Sequence, residues 1–463
     1  MQTVAGVIPQ TQILGEVAVA EFKARMKGQL LEPRDEGYDA ARAVWNAMID
    51  RRPALIARCI DANDVICAVN FARTHNLLVS VRGGGHNVAG KAVCDDGLMI
   101  DLSPMKVIHI EPVQRTARVE PGVIWSELDQ ATQAFGLATT GGTVSHTGVA
   151  GLTLGGGLGW LLATQGLACD NLLAAEIVLA DGRQLRANAT EYPDLFWAIR
   201  GGGGNFGIVT AFEFQLHPVG PTVLGGMMLY SLAQAKDVLQ FYRDFITNCP
   251  DALTVYAGLI STPEGLPVVA LIAGWFGLLD EGEEVLAPLR NFGTPLVDMI
   301  GPLPYCQLQA MLDSAVPFGL PRYWKSGYFT ELTDDFLDLM IEHVTSKTSP
   351  LSLALLFHLH GAATEVPEGA TAFCHRQSQW DFDIIAQWTD LTTADQHISW
   401  ARNFWQAVAP KSTGVYVNHL DSDDGVGRVR MAYGPNYERL TTLKAKYDPT
   451  NFFQLNHNIA PKT

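Results

Sequence analysis

Arg82-Gly83-Gly84-Gly85-His86 places one imidazole at the end of three residues without side chains, directly after the apolar run Leu77-Leu78-Val79-Ser80-Val81. Glycines let backbone N–H groups converge on an anion, Arg82 adds fixed positive charge, and a neutral His86 can attack an electrophilic carbon held against the loop. A tight surface turn tipped by a solvated histidine fits the same five residues, because short glycine motifs match by chance. Near the other end of the chain, Tyr416-Val417-Asn418-His419 offers a second reactive group. An unperturbed imidazole titrates near pH ~6.5 and suits proton removal at neutral pH, so His419 is a candidate base and Tyr416 its competitor.

Two more glycine clusters lie between these segments. Residues 141–159, GGTVSHTGVAGLTLGGGLG, hold eight glycines, too many for a stable helix interior, so this backbone must approach something closely. Residues 202–207 satisfy G-x-G-x-x-G, but Ile208-Val209-Thr210 continues as a strand where a dinucleotide loop would open a helix. Binding of NAD by that fold is therefore disfavoured. Neither a P-loop nor a G-x-S-x-G elbow is present, which removes the commonest NTPase and hydrolase readings. Three glycine clusters beside strand ends could together wrap one long ligand such as a dinucleotide. His358 and His360 share a strand face and could line a pocket, lie on a solvated sheet face or pair on a metal. With no third ligand at recognisable spacing, no metal is expected. Tyr323, Trp324 and Trp380 could form aromatic walls or ordinary core.

The elements that must position these groups alternate between helix and strand up to about Pro218. Asp61-Ala62-Asn63 caps a helix with Val65, Ala68, Val69 and Ala72 on one face, and the strand carrying the Gly-His loop follows. A strand over 98–102, an antiparallel pair over 107–110 and 116–119, and a helix over 125–135 stopped by Gly136 come next. A strand over 173–180 with its turn at Asp181-Gly182, a short helix over 193–199 and a strand over 208–216 complete this part. Beyond it, helices over 233–245 and 334–346 alternate with apolar strands over 268–276 and 353–360. The fold class is α+β. The divisions are residues 1–218, a separate substrate-facing domain over 219–410, and a polar-aromatic tail over 411–463 that returns to the first part.

A chain of 463 residues with 48% hydrophobic and 17% charged content can bury a sizeable core in two or three domains. Lys plus Arg number 32 against 48 Asp plus Glu, and the net charge of −16 repels phosphate backbones and anionic lipid surfaces. No nucleic acid or membrane partner is expected. The seven cysteines are scattered without C-x-x-C spacing, which fits a reducing cytoplasm better than a disulfide framework. Residues 1–15 lack the pattern of a signal peptide, and the apolar window 266–279 falls short of the ~20 residues of a spanning helix and reads as a buried strand.

Five ordered segments carry a resemblance over nearly the whole chain: residues 82–87, the run 141–159, Gly166-Leu167-Ala168-Cys169-Asp170-Asn171, residues 196–210, and the tail through Asn458. Together they resemble the FAD-linked oxidases of the vanillyl-alcohol oxidase/PCMH fold, in the berberine-bridge-enzyme-like group. The resemblance implies a PCMH-type FAD-binding domain of two α/β subdomains and an α+β substrate-binding domain built on an antiparallel sheet. It also implies FAD joined covalently to His86 through the flavin 8α carbon. Relatives with a second, cysteinyl link carry it eleven positions before the Gly155-Gly156-Gly157 triplet, where this chain has Val144, so a single link is expected. By the same resemblance, backbone around Gly83, Gly84, Gly85 and Asn87 and around Gly148, Gly151, Gly155, Gly156 and Gly157 holds the FAD pyrophosphate, and Arg82, Thr143 and Thr147 also belong to the cofactor site. Asp170, Asn171, Gly207, Ile208 and Val209 contact the ribityl or adenosine part, and Asn456 and Asn458 the isoalloxazine. Each Asn or Asp also fits a local loop-capping role. Ala163-Thr164-Gln165 departs from relatives that often carry a basic residue there.

The implied activity is an oxidase: hydride passes from an alcohol or amine C–H of a small organic substrate to FAD, and O2 reoxidises the cofactor to give H2O2. Thr147 sits where relatives control oxygen access, and its modest size favours oxygen. The alternatives are a flavin dehydrogenase or oxidative-cyclisation enzyme using another acceptor, and a flavin or small-molecule binding protein without turnover. Substrate identity and oligomeric state do not follow from the sequence.

Overall fold

A computed structural model of the chain describes residues 14–462, so the reading of residues 1–15 falls almost wholly outside it. The first sheet has four strands in the order Gln29–Leu31, Leu55–Arg58, Leu98–Asp101, Val79–Arg82. The last two pair in parallel, so Val79–Arg82 delivers the Gly-His loop at the carboxyl edge of the sheet, where open α/β sheets bind ligands. Asp61 caps the helix Ala62–Thr74 by accepting from the amides of Asn63 and Asp64, and the helix buries Val65, Ala68, Val69 and Ala72 as its spacing predicts.

An antiparallel five-stranded sheet follows, ordered Ile108–Glu111, Thr116–Val119, Ile208–Gln215, Leu172–Val178, Gln184–Asn188. The expected 107–119 hairpin is its edge. The preceding helix spans Trp125–Gln133, shorter than expected, because the amides of Phe135 and Gly136 turn back to Thr132 and Gln133 in a tight closing turn.

Apart from the short pair Leu137–Ala138 and His217–Pro218, the remaining strands form one antiparallel eight-stranded sheet, with Leu253–Ser261, Leu353–Leu359 and Gln379–Gln387 adjacent near its centre. Side-chain alternation gives it two different faces. Val255, Leu271, Leu356, Phe382 and Ile384 pack under the helices Ala235–Ile246, Asp334–Thr345 and Ala394–Val408 in one hydrophobic core. The alternate residues of each strand, Met227, Leu229, Tyr256, Ile272, Leu355, Phe357, Asp381, Asp383 and Ile385, face a cavity. This parity corrects one sequence expectation. His358 shares the helix-side face with Trp380, at 4.4 Å between ring centroids, and neither these two nor His360 lines the cavity.

The tail returns through the helix Tyr437–Tyr447, which packs on Pro193–Ile199. Fully buried Lys444 donates to the Asn205 carbonyl at 2.7 Å, to Asp448 at 2.6 Å and to the Phe453 carbonyl at 3.1 Å. One ammonium thereby ties the tail to the third glycine cluster.

Candidate active site

The cavity between the glycine loops and the open sheet face has a volume of about 1080 Å³. That exceeds the ~300–1,000 Å³ of ordinary small-molecule pockets, enough for a long cofactor and a substrate together. Gly83, Gly84, Gly85, His86, Asn87, Thr143, Thr147, Gly148, Gly151, Gly207, Ile208, Val209 and Asn456 all line it, so three glycine clusters far apart in sequence meet on one wall. The first two touch backbone to backbone: a Cβ on Gly84 would lie 2.4 Å from the Gly148 nitrogen, and one on Gly148 would lie 2.4 Å from the Gly84 nitrogen. The amides of residues 83–88 find no backbone acceptor among the described residues. Gathered on the cavity wall, this row of donors is a cradle suited to an anion such as a pyrophosphate.

His86 sits at the end of the cradle, stacked on Trp45 with ring centroids 4.8 Å apart. Trp45 is fixed in turn: its amide donates to the Gly85 carbonyl at 3.1 Å and its indole N–H to the Val316 carbonyl at 2.9 Å. Burial, reinforced by neighbouring His146 and Arg322, pushes the His86 imidazole well below its ordinary pKa, so it is neutral at pH 7. A neutral ring is the form a nucleophile needs.

Other expected contacts lie outside the cavity wall. Arg82 donates to the Ala41 carbonyl and stands 4.0 Å from Asp101. Asp170 is held by both terminal nitrogens of Arg376 at 2.7 Å each. Asn171 donates to the Gln165 and Leu167 carbonyls and lies 2.6 Å from His217 Nε2. Gly155 and Gly157 are needed for packing: a Cβ would meet Asn418 at 2.2 Å or Ala168 at 2.3 Å. Gly156 and Asn458 are likewise not part of the wall. These residues shape the loops behind the site. Lys91 and His457 do line the cavity and were not singled out in the sequence.

At the substrate-domain end, the 3-10 turn Val417–His419 turns its imidazole toward the strand Gln379–Gln387. His419 Nδ1 lies 2.9 Å from Asp383 Oδ1 and 3.3 Å from Asp381 Oδ2. Burial alone would lower the His419 pKa, but the charges of Asp383 and Asp381 outweigh it and raise it to about 10. His419 is therefore an imidazolium at neutral pH, not a ready base. Burial first, and then repulsion from Asp383, raises Asp381 to about 6. Asp381 Oδ1 is buried without a hydrogen-bond partner, on a residue that lines the cavity.

The donor atoms of Asp381, Asp383 and His419 lie within 4.8 Å of one another, as metal ligands would. However, Nδ1, the nitrogen that faces the two carboxylates, is the one their charge keeps protonated. Tyr416 also lines the cavity, but its hydroxyl accepts from the Gly157 amide at 2.8 Å and from Asn418 at 2.7 Å. Burial raises its pKa, more than those two donors lower it. Both acidic residues escaped the sequence reading. The signal was there: two carboxylates at period two on an otherwise apolar strand, Trp380-Asp381-Phe382-Asp383-Ile384.

Comparison with known proteins agrees with this geometry. Residues 53–188 match the FAD binding domain family, and residues 415–460 match the berberine and berberine-like family. The first match holds His86 and the second glycine run, the second Tyr416, His419 and Asn456. A FAD-linked oxidoreductase of Dictyostelium discoideum is 33% identical, over 96% of this chain and 97% of its own length. The (R)-6-hydroxynicotine oxidase of Paenarthrobacter nicotinovorans is 31% identical, over 94% of this chain and 97% of its own. The crystal structure of 6-hydroxy-D-nicotine oxidase from Arthrobacter nicotinovorans superposes with a TM-score of 0.87 at 31% identity, covering 94% of this chain and 98% of that one. The chain belongs to the berberine-bridge-enzyme-like FAD-linked oxidoreductases of the vanillyl-alcohol oxidase/PCMH fold.

Proposed function

We propose that the protein is an oxidase that holds FAD through a single covalent bond at His86 and oxidises an alcohol or amine carbon of a largely apolar small molecule. O2 is the acceptor and H2O2 the product. The observation that carries this reading is the arrangement of one cavity, with an anion cradle and a neutral imidazole on one wall and an apolar sheet face ending in a carboxylate with one unpartnered oxygen on the other. FAD, when bound, supplies the acceptor for a hydride. The amides of residues 83–88, the backbone at Gly148 and Gly207 and the Asn456 side chain would hold it.

Substrate binding falls to Met227, Leu229, Tyr256, Ile272, Leu355 and Phe357, which offer few hydrogen bonds and favour an apolar or aromatic skeleton over a sugar. Asp381 Oδ1 accepts the proton of the substrate hydroxyl or amine, and a carboxylate raised to about 6 is ionised yet basic at neutral pH. His419, charged, keeps two carboxylates together; Tyr416 anchors the Gly157 backbone. We assign residues 1–218 and 411–463 to the cofactor half, residues 219–410 to the substrate half, and the protein to the cytoplasm, consistent with its free cysteines.

Two measurements test the reading. Denaturing mass spectrometry is expected to show one FAD adduct, on the His86 peptide; an unmodified peptide from yellow protein overturns the covalent link. A panel of alcohols, cyclic amines and phenols is expected to bleach the flavin and yield peroxide in step with consumption. Reduced enzyme that stays reduced in air would make it a dehydrogenase, and a flavin that no substrate bleaches would support a binding protein.

A further inference from the structure

His86 has a partner that the proposed chemistry has not used. His86 Nε2 lies 2.6 Å from Nδ1 of His146, a residue of the second glycine run, and the two rings face each other with centroids 4.7 Å apart. The pair is half-buried among aromatic rings. Trp45 stacks on His86, and Phe318 packs against both imidazoles, with ring centroids 5.3 Å from His86 and 5.1 Å from His146. His146 is itself anchored by its neighbour: Ser145 donates through its amide to Asp313 Oδ1 at 2.8 Å and through its hydroxyl to Asp313 Oδ2 at 2.6 Å. A loop pinned by two hydrogen bonds to one carboxylate holds its imidazole in register with the cradle.

We propose that His146 is the positioning residue for cofactor attachment, fixing the proton of His86 on Nε2 and receiving it as Nδ1 of His86 bonds to the flavin 8α carbon. This deepens the covalent reading above and rests on it. The argument is geometric. With His146 against Nε2 in either tautomer, only Nδ1 of His86 is free to meet an electrophile in the cavity. For Nδ1 to carry the attacking lone pair, the proton must sit on Nε2, and a neutral His146 Nδ1 is the acceptor placed to hold it there. Burial lowers the pKa of both rings, more than the nearby Asp313 carboxylate raises that of His146, so neither is charged at neutral pH.

The step balances with O2 as oxidant. The His86 Nδ1–C8α bond forms, one C–H bond at C8α breaks, and the protons from that carbon and from Nε2 are released. Two electrons pass to the ring system and then to O2, which leaves as H2O2.

The test compares full-length wild type, His146→Leu and His146→Gln, purified from riboflavin-limited cells and then mixed with FAD. Visible absorbance of the undenatured protein reports binding, and flavin fluorescence of the denatured band reports attachment. For His146→Leu we expect FAD bound but attached about 10²-fold more slowly, the size of a lost general-base contribution. His146→Gln, whose amide oxygen accepts the Nε2 proton without removing it, is expected to fall between and to keep the linkage at Nδ1. Attachment at the wild-type rate in a His146→Leu protein that binds FAD overturns the proposal; should that variant bind no FAD, the same result for His146→Gln does so. Linkage through Nε2, read by NMR of the isolated flavinyl peptide, also overturns it. Wild type with no covalent FAD removes the His86 link itself, a failure distinct from either.

Discussion

The indole of Trp324 stacks on the imidazole of His419 at an interplanar angle of 28°, with ring centroids 4.9 Å apart, while its N–H donates to Asp383 at 2.8 Å. One side chain thus sets both partners of the charged cluster: it fixes the ring plane of the histidine and occupies the Asp383 oxygen nearest to it. Asp381 is left as the carboxylate with an oxygen open to a ligand.

If Asp381 takes the substrate proton, the reductive step depends on its ionisation. kcat/KM is expected to rise with pH through about 6, as Asp381 loses its proton, and to hold until His419 deprotonates near about 10. Asp381→Asn is expected to slow anaerobic flavin reduction by about 10²–10⁴-fold while FAD stays bound. Stopped-flow reduction across pH checks this. An Asn variant that keeps the acid limb would return the proton to another group.

His419 should couple stability to pH in the opposite sense from a typical paired carboxylate. Its folded-state pKa of about 10 lies above the ordinary value of ~6.5, so its stabilisation is complete below ~6.5 and is lost as pH rises through about 10. His419→Gln leaves two buried carboxylates without their cation. The variant is expected to unfold at lower urea than wild type at pH 7, with the gap narrowing toward pH 10. A gap that is constant with pH would mean that the ring acts by packing alone.

Much of the cofactor half was legible because glycine is required wherever two backbones touch, as Gly84 and Gly148 do. Two strands of the eight-stranded sheet were legible from their apolar runs over 268–276 and 353–360, and its antiparallel build from the family resemblance, but which face met the cavity was not. His358 and His360 share a face as expected, and the register turns that face under the helices. For Asp170 the resemblance implied a cofactor contact and its residue type a local cap, and its carboxylate does accept from the Leu167 amide at 2.9 Å. Its Arg376 partner stands 206 positions away, and no local pattern reports such a pairing. The pairing of His86 with His146 was hidden for the same reason, since the two loops meet only when the glycine runs cross.

Tyr416 separates a base from an anchor. Its hydroxyl accepts from the Gly157 amide and from Asn418, so Tyr416→Phe strips a buried acceptor from two donors. The expected cost is about 1–3 kcal/mol of stability, measured by urea denaturation, with flavin reduction slowed by less than about ten-fold. Loss of reduction by about 10²-fold or more at unchanged stability would make the phenol the base instead.

Lys444 and Asp448 are both fully buried, and burial pushes the Lys444 pKa down while Asp448 holds it up. Asp448 also accepts from the amides of Phe452 at 2.8 Å and Phe453 at 2.8 Å, so the pair is satisfied on both sides. Lys444→Met removes the cation but leaves the carboxylate in a dry site, which costs about 3–5 kcal/mol for a broken buried pair. Because Lys444 also holds the Asn205 carbonyl, the loss should reach the third glycine cluster and Asn456, whose amide donates to the Gly204 carbonyl at 3.0 Å. The expected result is a lower Tm together with weaker FAD retention. Combining Lys444→Met with Asp448→Asn should recover part of the Tm, since the uncompensated charge is gone, but not the tie to Asn205. Calorimetry of the single and double variants, alongside flavin content at equal protein, distinguishes the two contributions. A double variant no more stable than Lys444→Met would show that the carbonyl contacts, and not the charge pair, hold the tail in place.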